Sequence, residues 1–103
     1  MVKVATVGGE QVLTLTLPVR SVVGAFSGGT SLSATGDGVT YTIEAGDDLG
    51  PWTLDVDEVI GADATAIQSG LPGLSGAGWV YRTFRSPGTV VGDPREFIRA
   101  RVE

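Results

Sequence analysis

The sequence predicts an all-β fold: a single antiparallel β-sandwich, immunoglobulin-like or jelly-roll-like, over residues 1–103. Three observations predict it. Apolar residues recur at every second position, not every third or fourth. Turn-forming residues interrupt these runs at a spacing of roughly 8–12 residues. Glycine accounts for 16 of the 103 residues and supplies the positive φ that tight turns need. A small barrel fits the same pattern.

Taken in order, Val2–Val7 is a weaker strand candidate. Gln11–Pro18 is a strong one, with Leu13, Leu15 and Leu17 on one face and Val12, Thr14 and Thr16 on the other. Pro18 ends that strand or places it at an edge. A further weak strand is expected near Val22–Phe26. Val39–Glu44 alternates with Val39, Tyr41 and Ile43 inward. After the turn-rich segment 45–51, Trp52–Asp57 alternates again, with Trp52, Leu54 and Val56 inward and Asp55 and Asp57 outward. Two such runs around a turn segment predict an antiparallel hairpin. Trp79–Arg85 is rich in β-formers and bounded by Gly78 and Ser86-Pro87-Gly88. Phe97–Val102 places Ile98, Ala100 and Val102 on one face. The segment 70–78 reads as a long loop, and 93–96 as a turn into the last strand. The one helical candidate is Asp63–Ser69, with Asp63 as N-cap and Gly70 as its end, too short to organise the fold.

Composition narrows the chemistry. Cysteine and histidine are both absent. That removes a disulfide framework, Cys/His zinc sites, and serine or cysteine triads. The net charge of -5 argues against nucleic acid. No apolar run approaches the roughly 20 residues that span a bilayer, so no membrane partner is expected. A catalytic pair of carboxylates needs a pocket with two distinct environments, which nothing in the spacing marks. The expectation is therefore a protein that is not an enzyme. Residues 1–6 lack the apolar core of a signal peptide. Secretion is expected only as part of a larger extracellular protein.

Charge is segregated. Residues 21–81 contain no Lys or Arg but eight acidic residues, while Arg82, Arg85, Arg95, Arg99 and Arg101 crowd the last 22 positions. The ordinary reading is cross-strand pairing of the two sets. The functional reading is a patch that holds carboxylate or sulfate groups in arginine forks. Asp47 and Asp48, with Asp55 and Asp57 at i and i+2 on one strand face, form an oxygen-only set suited to a structural Ca²⁺; no other cofactor is expected. The ordinary reading of these acids is a solvated face. Trp79 and Tyr81 share a strand face and, if outward, would stack sugar rings, with Arg82, Arg85, Asp55 and Asp57 binding hydroxyls or anionic groups. Trp52, in phase with Leu54 and Val56, is expected in the core.

Segments 41–49, Trp52-Thr53, Trp79–Arg85 and Phe97–Val102 together resemble the small β-sandwich accessory modules of secreted bacterial multidomain proteins, polysaccharide-degrading or adhesive. The resemblance covers roughly residues 10–103 and implies a non-catalytic domain. Its implied partners are a polysaccharide, anionic if the arginine-rich end reads it, and other domains of the parent protein. Two functions follow as expectations. One is a carbohydrate-binding module. The alternative to it is a structural or interaction domain, a spacer or an attachment or assembly unit, with no small ligand.

Overall fold

Two dipeptides with positive φ set the first pairings. Gly8-Gly9, at φ 60° and 83°, joins β1 (Val2–Val7) to β2 (Glu10–Arg20), with Val7 opposite Glu10. Asp37-Gly38, at φ 56° and 77°, joins β3 (Leu32–Gly36) to β4 (Val39–Gly46), with Gly36 opposite Val39. Positive φ at both central residues suits the right-handed twist of the flanking strands, and Gly and Asp adopt it at least strain. The remaining elements are β5 (Asp57–Val59), α1 (Ala62–Gln68), β6 (Trp79–Arg85) and β7 (Phe97–Val102). The computed structural model describes residues 1–46, 52–74, 78–92 and 96–103.

All strand pairs are antiparallel. Sheet A has the order β1-β2-β6-β5 and sheet B the order β3-β4-β7. The predicted all-β sandwich is the observed architecture. Its core lies between the sheets. Leu15 and Phe84 of sheet A share one apolar cluster with Ile43, Ala45 and Ile98 of sheet B, and Val56 joins them. Val19, Val23 and Tyr41 form a second cluster towards one end.

The second face of sheet A is also covered. Ala64 and Ile67 of α1 pack with Val59, against Ala5 and Val7. This burial explains why both faces of β2 are inside. Its threonines keep hydrogen bonds there, as buried hydroxyls must. Thr14 Oγ1 donates to the Lys3 carbonyl at 2.8 Å. Thr16 and Thr83 share a hydroxyl–hydroxyl bond of 2.9 Å, and Gln68 Nε2 donates to Thr83 Oγ1 at 2.9 Å. The helix thus does more than its length suggested. Gly61, not Asp63, occupies its N-cap, and Ser69, not Gly70, its C-cap. Asp63 lies in the first turn, where a carboxylate is favoured, and accepts a bond from the Gly8 N–H at 3.1 Å.

Two expected pairings change. Val22–Phe26 is not a strand. The chain turns after Arg20 (Val23 N–H to Arg20 carbonyl, 3.0 Å) and drives Val23 and Phe26 inward, with Phe26 edge-on to Phe84 at 4.7 Å. Gly36 makes room for this plug, since a Cβ there would stand 2.7 Å from Val23 Cγ2. The hairpin expected between Val39–Glu44 and Trp52–Asp57 does not form, because β4 is flanked by β3 and β7. One bridge, Leu54 N–H to Ala45 carbonyl at 3.0 Å, remains of it. The chain then crosses to sheet A, where β5 pairs with β6.

Candidate functional site

The register of β6 decides where the proposed ligand residues point. Trp79, Tyr81 and Arg85 lie opposite Arg20, Pro18 and Thr14, on the α1 side of sheet A. Trp79 is 39% exposed, and the Arg20 guanidinium lies 5.0 Å from its ring centre. Arg20 Nε is in turn 3.1 Å from Asp37 Oδ2. That contact is an ion pair and not a linear hydrogen bond, so among the described residues the buried Nε has no aligned acceptor. Tyr81 is half-buried and donates its hydroxyl to the Pro72 carbonyl at 2.6 Å. Arg85 donates to the Ser86 and Pro87 carbonyls, each at 3.1 Å. Asp57 stands opposite Arg85 in the ladder and is exposed, but Arg85 has turned to those carbonyls.

Arg82 points the other way and does not join Trp79 and Tyr81. Its Nε and Nη2 grip Glu58 as a fork, the Nη2–Oε1 distance being 2.8 Å. Its Nη1 reaches the Gly24 carbonyl at 3.3 Å, and the guanidinium lies over the Phe26 ring at 5.0 Å. The hydrogen bonds that Arg82 donates to Glu58 hold its pKa above the ordinary value, against the opposing effect of burial and with a further contribution from Glu58's charge. Glu58 was not singled out in the sequence. Its signal was weak: a third acid just after Asp55 and Asp57.

Asp55 and Asp57 do not share a strand face. β5 begins at Asp57, and Asp55 is exposed outside regular structure. Asp47 and Asp48, the proposed metal ligands, lie outside the described residues, as does Arg95. Among the described residues, no group of three or more acidic side chains is placed to hold a metal ion.

Trp52 is also not in the core. It is half-buried, with the Arg99 guanidinium 4.0 Å from its ring centre. Arg99 stands opposite Glu44 on the outer face of sheet B. Glu44 Oε1 accepts from Arg99 Nε at 3.1 Å and from Arg101 Nε at 2.8 Å. Arg101 Nη1 also lies 3.4 Å from Glu103. The acidic middle and the arginine-rich end therefore pair across strands at Glu44 and Glu58, as the charge pattern implied. The two rings expected to form a platform stand on one face, and Trp52, expected in the core, stands on another. Trp79 and Tyr81 lie on the outer side of sheet A, and Trp52 on Arg99 at the outer side of sheet B. No protein-family model matches the chain, and neither a curated protein nor a solved structure is found to match it.

Proposed function

We propose that the chain is a non-catalytic interaction module, a β-sandwich that spaces or attaches parts of a larger extracellular protein through its sheet surfaces. One observation carries this reading: the rings that would stack a sugar are committed to contacts within the chain. Arg20 lies over Trp79, Arg99 over Trp52, and the Tyr81 hydroxyl is bonded to Pro72. A sugar platform needs free ring faces turned to one groove. The extracellular setting and the partner domains rest on the resemblance of segments 41–49, 79–85 and 97–102 to accessory modules.

A carbohydrate-binding module is the second reading, favoured by the outer face of sheet B. There Arg99 and Arg101 each direct Nε to Glu44 and lie beside exposed Phe97. Such forks suit the carboxylate or sulfate of an anionic glycan. Affinity electrophoresis through neutral, uronate-containing and sulfated polysaccharides separates the two readings. The interaction module migrates unchanged in every gel. Retardation lost on Trp79→Ala with Tyr81→Ala, or on Arg99→Ala with Arg101→Ala, would overturn it in favour of sugar binding.

A further inference from the structure

Among the described residues, sheet B is one strand narrower than sheet A, and the place beside β7 is definite. β7 is the edge of sheet B and packs over β2. Its Ile98 and Ala100 share the central cluster with Leu13, Leu15 and Leu17. β1 lies on the far side of β2 from β6, so it projects beyond β7. The register puts Val2 and Val4 on the same face as Leu15 and Leu13, the face sheet B covers elsewhere. Yet Val2 is 50% exposed and Val4 47%. A cavity of about 90 Å³ opens at one end of this strip, lined in part by Val4, Leu13 and Glu96. Among the described residues, the second backbone edge of β7 has no strand partner.

We infer that this position accepts a single strand from another protein: an extended segment with apolar residues at alternate positions and acidic residues between them. The inference rests on the interaction reading and gives it a site. Main-chain groups of the segment would pair with the free edge of β7. Its inward side chains would cover Val2 and Val4 beside Ile98 and Ala100. Its outward side chains would neighbour Arg99 and Arg101, which face one shared carboxylate, Glu44. Glu103 adds only a 3.4 Å approach to Arg101. Acidic residues there make favourable cross-strand pairs, and basic ones repel.

The same geometry excludes one arrangement of a second copy, the pairing of β7 with β7. Pairing β7 with a twofold-related β7 would lay the second sheet B above β1. The second copy's own β2 must lie under its β7, in the space β1 already fills. The projecting β1 of a second copy could reach the place in another orientation, but it carries Lys3 between Val2 and Val4, a base beside Arg99 and Arg101, where an acidic strand pairs and a basic one is repelled.

The test uses the full chain with synthetic six-residue peptides, the length of β7. One alternates valine and glutamate, one alternates valine and lysine, and one holds the first composition in two blocks. Amide chemical shifts and hydrogen exchange report where each binds. The valine–glutamate peptide is expected to slow exchange along β7, to shift β7 and β1 resonances, and to bind on the order of tenfold more tightly than the lysine peptide. Arg99→Glu with Arg101→Glu should invert that preference. Val4→Lys, at an exposed position the fold tolerates, should abolish binding of both. No binding, equal binding of acidic and basic peptides, or protection confined to β3 or β5 overturns the inference. None of those outcomes touches the interaction reading, which fails on retention by glycan.

Discussion

Two arginine clusters use the same chemistry in different surroundings. In sheet A, Arg82 and Glu58 form a two-pronged pair whose side chains are each 20% exposed, roofed by Phe26 and tied to the Gly24 carbonyl. In sheet B, Glu44 is itself only 13% exposed, but the two arginines it holds are 43% and 49% exposed. The first pair has one partner per charge, and little water to replace it. The second has a spare arginine on the acid and solvent on both bases. The number of contacts is similar; the difference lies in what replaces a contact when it is lost. Losing the acid of sheet A strands a desolvated base, whereas losing Glu44 leaves two arginines that water already reaches.

The largest effect is therefore expected from Glu58→Ala. Removing the carboxylate leaves Arg82 half-buried with one weak carbonyl contact, and should destabilise the fold by about 2–3 kcal/mol. Urea denaturation would read this as a lower midpoint with an unchanged slope. A loss near zero would mean that water enters beneath Phe26 and that the two clusters are alike. The pH dependence has a definite sign. A base whose pKa is raised by folding contributes stability that is complete below its unfolded pKa and lost only as pH rises through the folded one. Arg82's contribution should thus stay constant from neutral pH to about pH 11. An alkaline loss of stability that disappears in Glu58→Ala would contradict it.

Next in size is a contrast between the threonine pairs of the two sheets. Thr16 and Thr83 bond across sheet A beneath α1, where Gln68 adds a third group. Thr83→Val leaves Thr16 Oγ1 and Gln68 Nε2 without that partner in a buried place. It should cost about 1–2 kcal/mol. Thr16→Val combined with Thr83→Val should cost less than the two single changes added, because two apolar groups of the same shape need no bond. Strict additivity would show that the hydroxyls are independent.

These contrasts also mark what could be read before the fold was known. β2, β4, β6 and β7 are legible because their apolar residues alternate and at least one face is buried. α1 is visible as a segment, but its role is not, since sequence does not say which sheet face lacks a cover. β3 escapes because Leu32 is its one large apolar residue. The Asp37-Gly38 dipeptide was its available signal. Trp52–Asp57 shows the limit of periodicity. Val56 is buried and Asp55 and Asp57 are exposed, as the alternation required, but alternation gives faces and not partners, and the chain changes sheets after one bridge. The charge segregation correctly announced cross-strand pairing. It did not identify Glu58 or Glu44 as the acids, because that depends on register. Residue chemistry alone points to Asp55, Asp57 and Arg85, and none of them makes an ion pair among the described residues.

The smallest effects belong to sheet B and are the sharpest check on the comparison. Glu44→Gln removes the carboxylate charge between two arginines that water already reaches. It should change stability by no more than about 0.5–1 kcal/mol. The loss should shrink further as salt rises from low to physiological concentration, because exposed charges are screened over about 8–10 Å. Thr35→Val breaks the 2.9 Å hydroxyl bond to Thr40 on the exposed outer face. Solvent can take over both groups, so the change should stay within about 0.5 kcal/mol. The same bond length joins Thr16 to Thr83 in sheet A, so distance does not separate the two pairs. If Thr35→Val proved as damaging as Thr83→Val, the cover supplied by α1 would not be the reason that sheet A depends on its hydroxyls.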